Sequence, residues 1–197
     1  EFVATSKRFM PHFHIPLQSG SNRMLGLMRR RYRREVYVNR VEKIKQLMPH
    51  ACIGVDVIVG FPGETEEEFL TTYNFLNELD VSYLHVFTYS ERVNTHAVNL
   101  SGVVPHKVRS ERSKMLRILS EKKRRKFYEQ FLGETRPVLY EKEREGELMH
   151  GFTDNYIKIE TSFNQDIVGE IQPFQLHSIN ENNLVAGKVE SLVNQVI

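Results

Sequence analysis

The sequence predicts an α/β protein, a parallel sheet with helices between its strands, followed by a small antiparallel β-barrel. Two strand–turn–helix units in tandem predict the first part. An apolar run at residues 12–17 leads into Gln18-Ser19-Gly20-Ser21, and a second at 52–59 leads into Gly60-Phe61-Pro62-Gly63-Glu64-Thr65. A change of period after Gly133, from helical to short alternating runs, predicts the second part. Ligands of parallel α/β sheets bind at the carboxyl ends of the strands, so the two glycine-bearing turns are where chemistry is expected.

Residues 7–17 read as the first strand, with His12 and His14 on one face. Residues 21–31 form a short helix or ordered loop. Residues 35–48 are a clearer helix, with Val38, Val41, Ile44 and Leu47/Met48 in one stripe and Pro49 as its stop. The near-continuous apolar run at 51–59 is a strand buried on both faces. The next helix starts at Thr65. Thr65-x-x-Glu68 is a capping box, and Glu66, Glu67 and Glu68 suit the positive helix end. Phe69, Tyr73, Leu76 and Leu79 form its apolar stripe. Residues 82–89 are a third strand ending at Tyr89-Ser90, and a polar loop follows. Pro105 opens a long basic helix to about Leu132. Its apolar side reads as Met115, Ile118/Leu119, Phe127 and Phe131, and Gly133 ends it. Five short β-like runs then occur at 137–141, 147–152, 156–160, 167–171 and 184–189. The expected domain boundary lies near 133, giving domains 1–132 and 133–197.

The 197 residues, with 26% charged and 40% hydrophobic, are an ordinary globular mixture. No apolar run reaches membrane-spanning length, and no membrane partner is expected. Cys52 is the only cysteine, so no internal disulfide can form and a reduced cytoplasmic setting is the default. One cysteine cannot hold an iron–sulfur cluster unaided. The net charge of +2 conceals segregation: residues 1–50 carry +8, 51–100 −7, 101–132 +7 and 133–197 −6. Two basic segments suit a polyanion, while solvated helix faces are the plainer explanation of each run.

The Gln18–Ser21 turn offers an amide, two hydroxyls and close backbone approach at Gly20, suited to a ribose or a carboxylate. A tight turn with Ser21 as a helix cap is the plainer explanation. Gly60–Thr65 fixes a rigid turn before free helix amides and could cradle an anion or a flat nucleoside. Its alternative is a capped strand-to-helix turn. His12, His14 and His85 lie on expected strands, but a metal site is disfavoured because no cysteine or carboxylate partner stands at ligand spacing. Arg29–Arg34, with Tyr32 among the arginines, could grip a phosphate backbone or form a solvated surface.

Four stretches together carry a resemblance. They are His12-Phe13-His14-Ile15-Pro16-Leu17-Gln18-Ser19-Gly20-Ser21, Met28-Arg29-Arg30-Arg31-Tyr32, Asp56-Val57-Ile58-Val59-Gly60-Phe61-Pro62-Gly63-Glu64-Thr65 and His85-Val86-Phe87-Thr88-Tyr89-Ser90-Glu91-Arg92. In order and spacing they resemble the radical S-adenosylmethionine methylthiotransferases. Residues 134–197 are similar to the family's C-terminal TRAM domain, with Gly151-Phe152-Thr153-Asp154-Asn155-Tyr156 like its central stretch.

The resemblance implies the C-terminal half of a partial (β/α) radical SAM barrel followed by a small, OB-like TRAM barrel. It implies S-adenosylmethionine and a 4Fe–4S cluster as cofactors, a 5′-deoxyadenosyl radical as the agent of C–H activation, and tRNA as partner. Ser19 and Arg92 stand where the branch that modifies a ribosomal protein typically has a histidine and an acid, so both favour the tRNA-modifying branches. Arg30-Arg31-Tyr32 and Leu84-His85-Val86-Phe87 look most like the branch acting on N6-threonylcarbamoyladenosine, with the isopentenyladenosine branch next. By position, Gln18, Ser19 and Ser21 are expected at the methionine or ribose end of the cofactor, and Ile58, Gly60, Phe61 and Pro62 at its adenine. Arg30 is expected at its carboxylate. Tyr89 lies near the cofactor, and Arg92, Tyr156 and Lys158 near the substrate. A strand core position for Tyr156 and a solvated Lys158 are the plainer alternatives. No catalytic side chain and no metal ligand are expected in this chain, because the family's CxxxCxxC motif is absent from it. The chain therefore reads as the C-terminal part of a longer enzyme, inactive alone, with a non-catalytic RNA-binding module of basic helices and a small β-barrel as the alternative. It is expected to self-associate through the exposed edge of its first strand. The loop Val93-Asn94-Thr95-His96 departs from the family's usual Gly and Pro around the Thr.

Overall fold

The computed structural model of the chain describes residues 1–189. In chain order the elements are α1 (Phe2–Thr5), β1 (His12–His14), α2 (Asn22–Leu27), α3 (Arg34–Leu47), β2 (Cys52–Val59), α4 (Glu66–Glu78), β3 (Tyr83–Thr88), α5 (His106–Glu129), β4 (Thr135–Glu145), β5 (Leu148–Thr153), β6 (Lys158–Ser162), β7 (Ile171–Ile179) and β8 (Val185–Val189). They divide into two compact units, residues 13–124 and residues 1–12 with the described residues from 125 on. No helix among the described residues is long and apolar enough to cross a membrane.

The first unit is built on a sheet of order β1-β2-β3, with β2 and β3 parallel and Asp56 level with His85. Val55, Val57 and Val59 of β2 are fully buried together with Leu17, Val41, Phe69, Leu76 and Leu84, and Leu116 and Leu119 of α5 complete this core. The alternate side chains of β2, Asp56 and Ile58, are only half-buried, so one face of the sheet packs on helices and the other is open.

The first strand is shorter than the expected 7–17. Only His12–His14 is regular, followed by an isolated parallel bridge from Gln18 to Val57. Pro11 and Pro16 bracket the pairing and supply no N–H to it. Two tyrosines tie this segment down from outside the sheet. Tyr32 Oη donates to the Leu17 carbonyl at 2.9 Å and Tyr37 Oη to the Ile15 carbonyl at 2.7 Å. In α4, Thr65 caps as expected, accepting from the Glu68 N–H, but the Glu68 carboxylate turns to Ser21 and Arg23.

The inward side of α5 differs from expectation. Met115 and Ile118 are 40% and 44% exposed, whereas Arg109, Arg112, Ser113, Leu116, Leu119 and Ser120 are buried. Of the expected apolar side Leu119, Phe127 and Phe131 are buried, and only Met115 and Ile118 are displaced, because two inward positions are arginines. Each is held by carboxylates and carbonyls.

In the second unit the strands close into a barrel of order β4-β5-β6-β8-β7, antiparallel except for β6 with β8. Val138, Tyr140, Met149, Ile157, Ile159, Phe174, Leu176 and Val185 fill it. Five strands were expected, but the fourth is displaced. Residues 167–171 end a 3₁₀ turn and pass Gly169 at φ +78°, and the strand begins only at Ile171. Tyr156 is likewise no strand core residue. It sits between β5 and β6 at φ +66° and is 41% exposed.

Candidate functional site at the strand ends

The carboxyl ends of β1, β2 and β3 lead into Gln18–Ser21, Gly60–Pro62 and Tyr89, which the sheet places along one rim. Gln18 lies in the left-handed region at φ +74°, a conformation that costs a side-chain-bearing residue about 1–3 kcal/mol. Its backbone is pinned on both sides: its N–H donates to the Asp56 carbonyl and its carbonyl accepts from Ile58.

The serines of this turn are committed inward. Ser19 and Ser21 are 3% and 2% exposed. Ser19 Oγ pairs with Thr72 Oγ1 at 3.1 Å and accepts from the Ser21 N–H. Ser21 Oγ caps α2 through the Met24 N–H and donates to the Glu68 carboxylate. Both hydroxyls thus fasten the turn to α4 and α2, the structural role its sequence also allowed.

The second turn is set by Glu64. Its Oε2 accepts from the Gly60 N–H at 2.7 Å, and its Oε1 takes Arg112 Nη1 at 2.9 Å. Burial pushes the Glu64 carboxyl above its ordinary value, against the opposing pull of the Gly60 N–H and Arg112. Gly60 adopts φ +75°, and a Cβ there would overlap the stem of Arg109, which passes directly behind the turn. Arg109 in turn donates to the carbonyls of Val104 and Tyr89 and pairs with Glu91 at 2.6 Å. Arg109 holds the Glu91 carboxyl below its usual range.

Phe61 and Tyr89 meet edge to face, 5.2 Å between centroids, and the Arg109 guanidinium lies 5.3 Å over the Tyr89 ring. Tyr89 Oη is buried and has no hydrogen-bond partner among the described residues. The rim therefore offers an aromatic corner with an unused hydroxyl, beside a turn whose backbone is fixed. Sequence reading missed Glu64, Arg109 and Arg112 as its scaffold. The signal that could have found them is Glu64 itself, an acid directly after a glycine turn with arginines at helical spacing downstream.

Arg30 is exposed and follows Arg29, a left-handed residue at φ +56°. Its neighbour Tyr32 is spent on the Leu17 carbonyl rather than aimed outward. Arg92 is exposed, and its carbonyl accepts from both the N–H and the hydroxyl of Thr95. Asn94 takes φ +65° in that loop, a conformation Asn tolerates better than most residues.

In the barrel unit Tyr156 stacks on His12, with centroids 3.9 Å apart and planes within 5°, and on Phe152 at 4.7 Å. These rings line an open groove of about 710 Å³ with Phe9, Met10, Leu139 and Ile171. Lys158 is half-buried, and its N–H donates to Tyr128 Oη. Cys52, the one thiol, is buried in β2, and burial pushes it up to about 12.

Residues 2–76 match the Radical SAM superfamily. The chain is 42% identical over 175 residues to a threonylcarbamoyladenosine tRNA methylthiotransferase of Bacillus subtilis, covering 87% of this chain and 39% of that protein. To the protein of the same description from Aquifex aeolicus it is 44% identical over 160 residues, 81% of this chain and 38% of the relative. A tRNA-2-methylthio-N(6)-dimethylallyladenosine synthase of Protochlamydia amoebophila is 35% identical over 187 residues, 94% of this chain and 42% of the relative. The chain thus spans about 40% of the length of the curated relatives it matches.

Proposed function

We propose that this chain is part of a radical SAM methylthiotransferase, one that adds a methylthio group to N6-threonylcarbamoyladenosine in tRNA. The observation that carries the choice of nucleoside is similarity. Two relatives described as acting on that nucleoside share 42% and 44% identity over 175 and 160 residues, while dimethylallyladenosine relatives share 35% over 187 residues and 44% over a shorter 119. Ser19 and Arg92 speak against a ribosomal-protein substrate, as the resemblance implies. The isopentenyladenosine reading is the second one, favoured by its coverage of 94% of the chain.

The strand-end rim fits S-adenosylmethionine. Gly60 and Phe61 present a side-chain-free backbone and an aromatic face to an adenine, Pro62 stiffens the turn, and Ile58 flanks it on β2. Gln18, held at φ +74°, stands at the adjoining strand end, and the buried Ser19 and Ser21 hold that turn in place. The unpartnered Tyr89 hydroxyl is free to bond a polar group of the ligand. Arg30 supplies a cation for the ligand carboxylate. The bound cofactor supplies the means of activating an unreactive C–H bond. A 4Fe–4S cluster does not fit these residues, since Cys52 is single, buried and held protonated. The rim's part is to bind and orient, and a chain with these residues alone is expected to be inactive.

Residues 1–132 are proposed as the C-terminal part of the radical SAM domain and 133–197 as TRAM, supported by the barrel's start at Thr135. Arg92, Tyr156 and Lys158 are proposed contacts to tRNA. The test is direct. The full-length gene product, reconstituted and given tRNA bearing threonylcarbamoyladenosine or isopentenyladenosine, is expected to methylthiolate the first. Methylthiolation of the second alone replaces the nucleoside assignment with the alternative.

A further inference from the structure

We propose that His14, Asp56 and His85 form a binding site for one first-row divalent transition-metal ion of the zinc or cobalt class. The three residues come from three neighbouring strands, β1, β2 and β3, and Asp56 and His85 are partners in the parallel register. All three lie on the open face of the sheet, opposite the helices that bury Val55 and Val57. One ligand atom from each, an imidazole nitrogen or a carboxylate oxygen, lies within 4.8 Å of the others.

His14 Nε2 is already 2.5 Å from Asp56 Oδ1. A simple His–Asp ion pair explains those two residues but not the third. The His14 and His85 rings are 5.1 Å apart and tilted by 52°, so they converge by their edges rather than stacking. His85 is itself propped. Tyr83 packs edge-on against it at 5.0 Å, and Gly54, where a Cβ would overlap the Tyr83 ring, leaves room for that tyrosine to lie across the sheet.

Two imidazoles and a carboxylate are a donor set that borderline ions accept, and three protein ligands leave a position open for water or a substrate group. The sequence reading set a metal aside for want of a carboxylate at ligand spacing. Asp56 stands 42 residues from His14, hidden in an apolar run, and only strand pairing brings it alongside. The side chains of His14 and Asp56 are 47% and 17% exposed, so an ion can enter from the open face. The site is independent of the nucleoside assignment, and its residues precede the cofactor rim on each strand.

The experiment uses the untagged chain, stripped with chelator and titrated with cobalt(II) while visible absorption is recorded, then with zinc(II) in competition. Expected are one ion per chain, d–d bands of a low-coordinate nitrogen–oxygen site, and displacement by zinc. His14→Ala, Asp56→Asn and His85→Ala should each weaken binding by at least about tenfold, the scale on which even outer-shell changes act. His96→Ala should leave it unchanged. Circular dichroism checks folding, and zinc-induced shifts of the His14 and His85 ring protons in the unaltered chain test the site without any variant. No cobalt bands, or an affinity that the three substitutions change by less than tenfold, overturns the proposal.

Discussion

Replacing Gly60 with alanine should destabilise the sheet unit by about 3–5 kcal/mol, and the structure says where the loss arises. Gly60 sits at φ +75°, so any residue with a Cβ carries about 1–2 kcal/mol of backbone strain there. The new Cβ would also overlap Arg109 Cγ and lie 2.9 Å from its Cδ. That stem cannot swing away cheaply, since the guanidinium is buried and held by two carbonyls and the Glu91 carboxylate. Hydrogen bonds to a charged group are worth about 1.5–3 kcal/mol each, so losing or bending one of the three supplies the remainder. Denaturant unfolding of the chain measures the sum. The Arg109→Ala background separates the parts, because without the stem the Gly60→Ala cost should fall to the backbone strain alone. Gly26→Ala is the control. That glycine is helical with nothing within 4 Å of an added Cβ, so alanine should stabilise by roughly 0.5–1 kcal/mol. A Gly60→Ala variant within about 0.5 kcal/mol of the parent, or a cost unchanged by removing Arg109, would refute the reasoning.

Arg112→Met should cost about 3–5 kcal/mol by leaving Glu64 buried without its partner, again read by denaturant unfolding. The raised Glu64 carboxyl means the folded chain holds that proton more tightly than the unfolded one. Stability attributable to Glu64 should therefore fall as pH rises from the ordinary carboxylate range through its folded value, and Glu64→Gln should remove that slope in melts across pH. Thr65→Ala should cost on the order of 1 kcal/mol through loss of the Glu68 N–H cap, with midpoint shifts as readout. Sedimentation of the chain should show concentration-dependent self-association, because β1 ends the sheet order; a single monomeric species from micromolar to millimolar concentration would exclude it.

The strand–turn–helix units could be read from the sequence because their signals are local: the apolar run of β2, the Thr65 cap and the glycines that set the turns. The barrel was legible as a change of period, but β7 was misplaced because Ile167 and Ile171 resemble a strand while Gly169 makes a turn between them. Met115 and Ile118 of α5 were misplaced for a different reason. Arg109 and Arg112 look like solvated charges until Glu64, 48 residues from Arg112, neutralises the latter. The same limit hid Asp56 as a neighbour of His14. Long-range pairing of polar groups leaves no periodic trace, so the rim's backbone was foreseeable and its scaffold was not.

The most direct test of the account is mass spectrometry of tRNA nucleosides from a strain lacking the gene. Loss of the methylthio group from threonylcarbamoyladenosine, with isopentenyladenosine derivatives intact, is the predicted result. Full methylthiolation of threonylcarbamoyladenosine in that strain would contradict it.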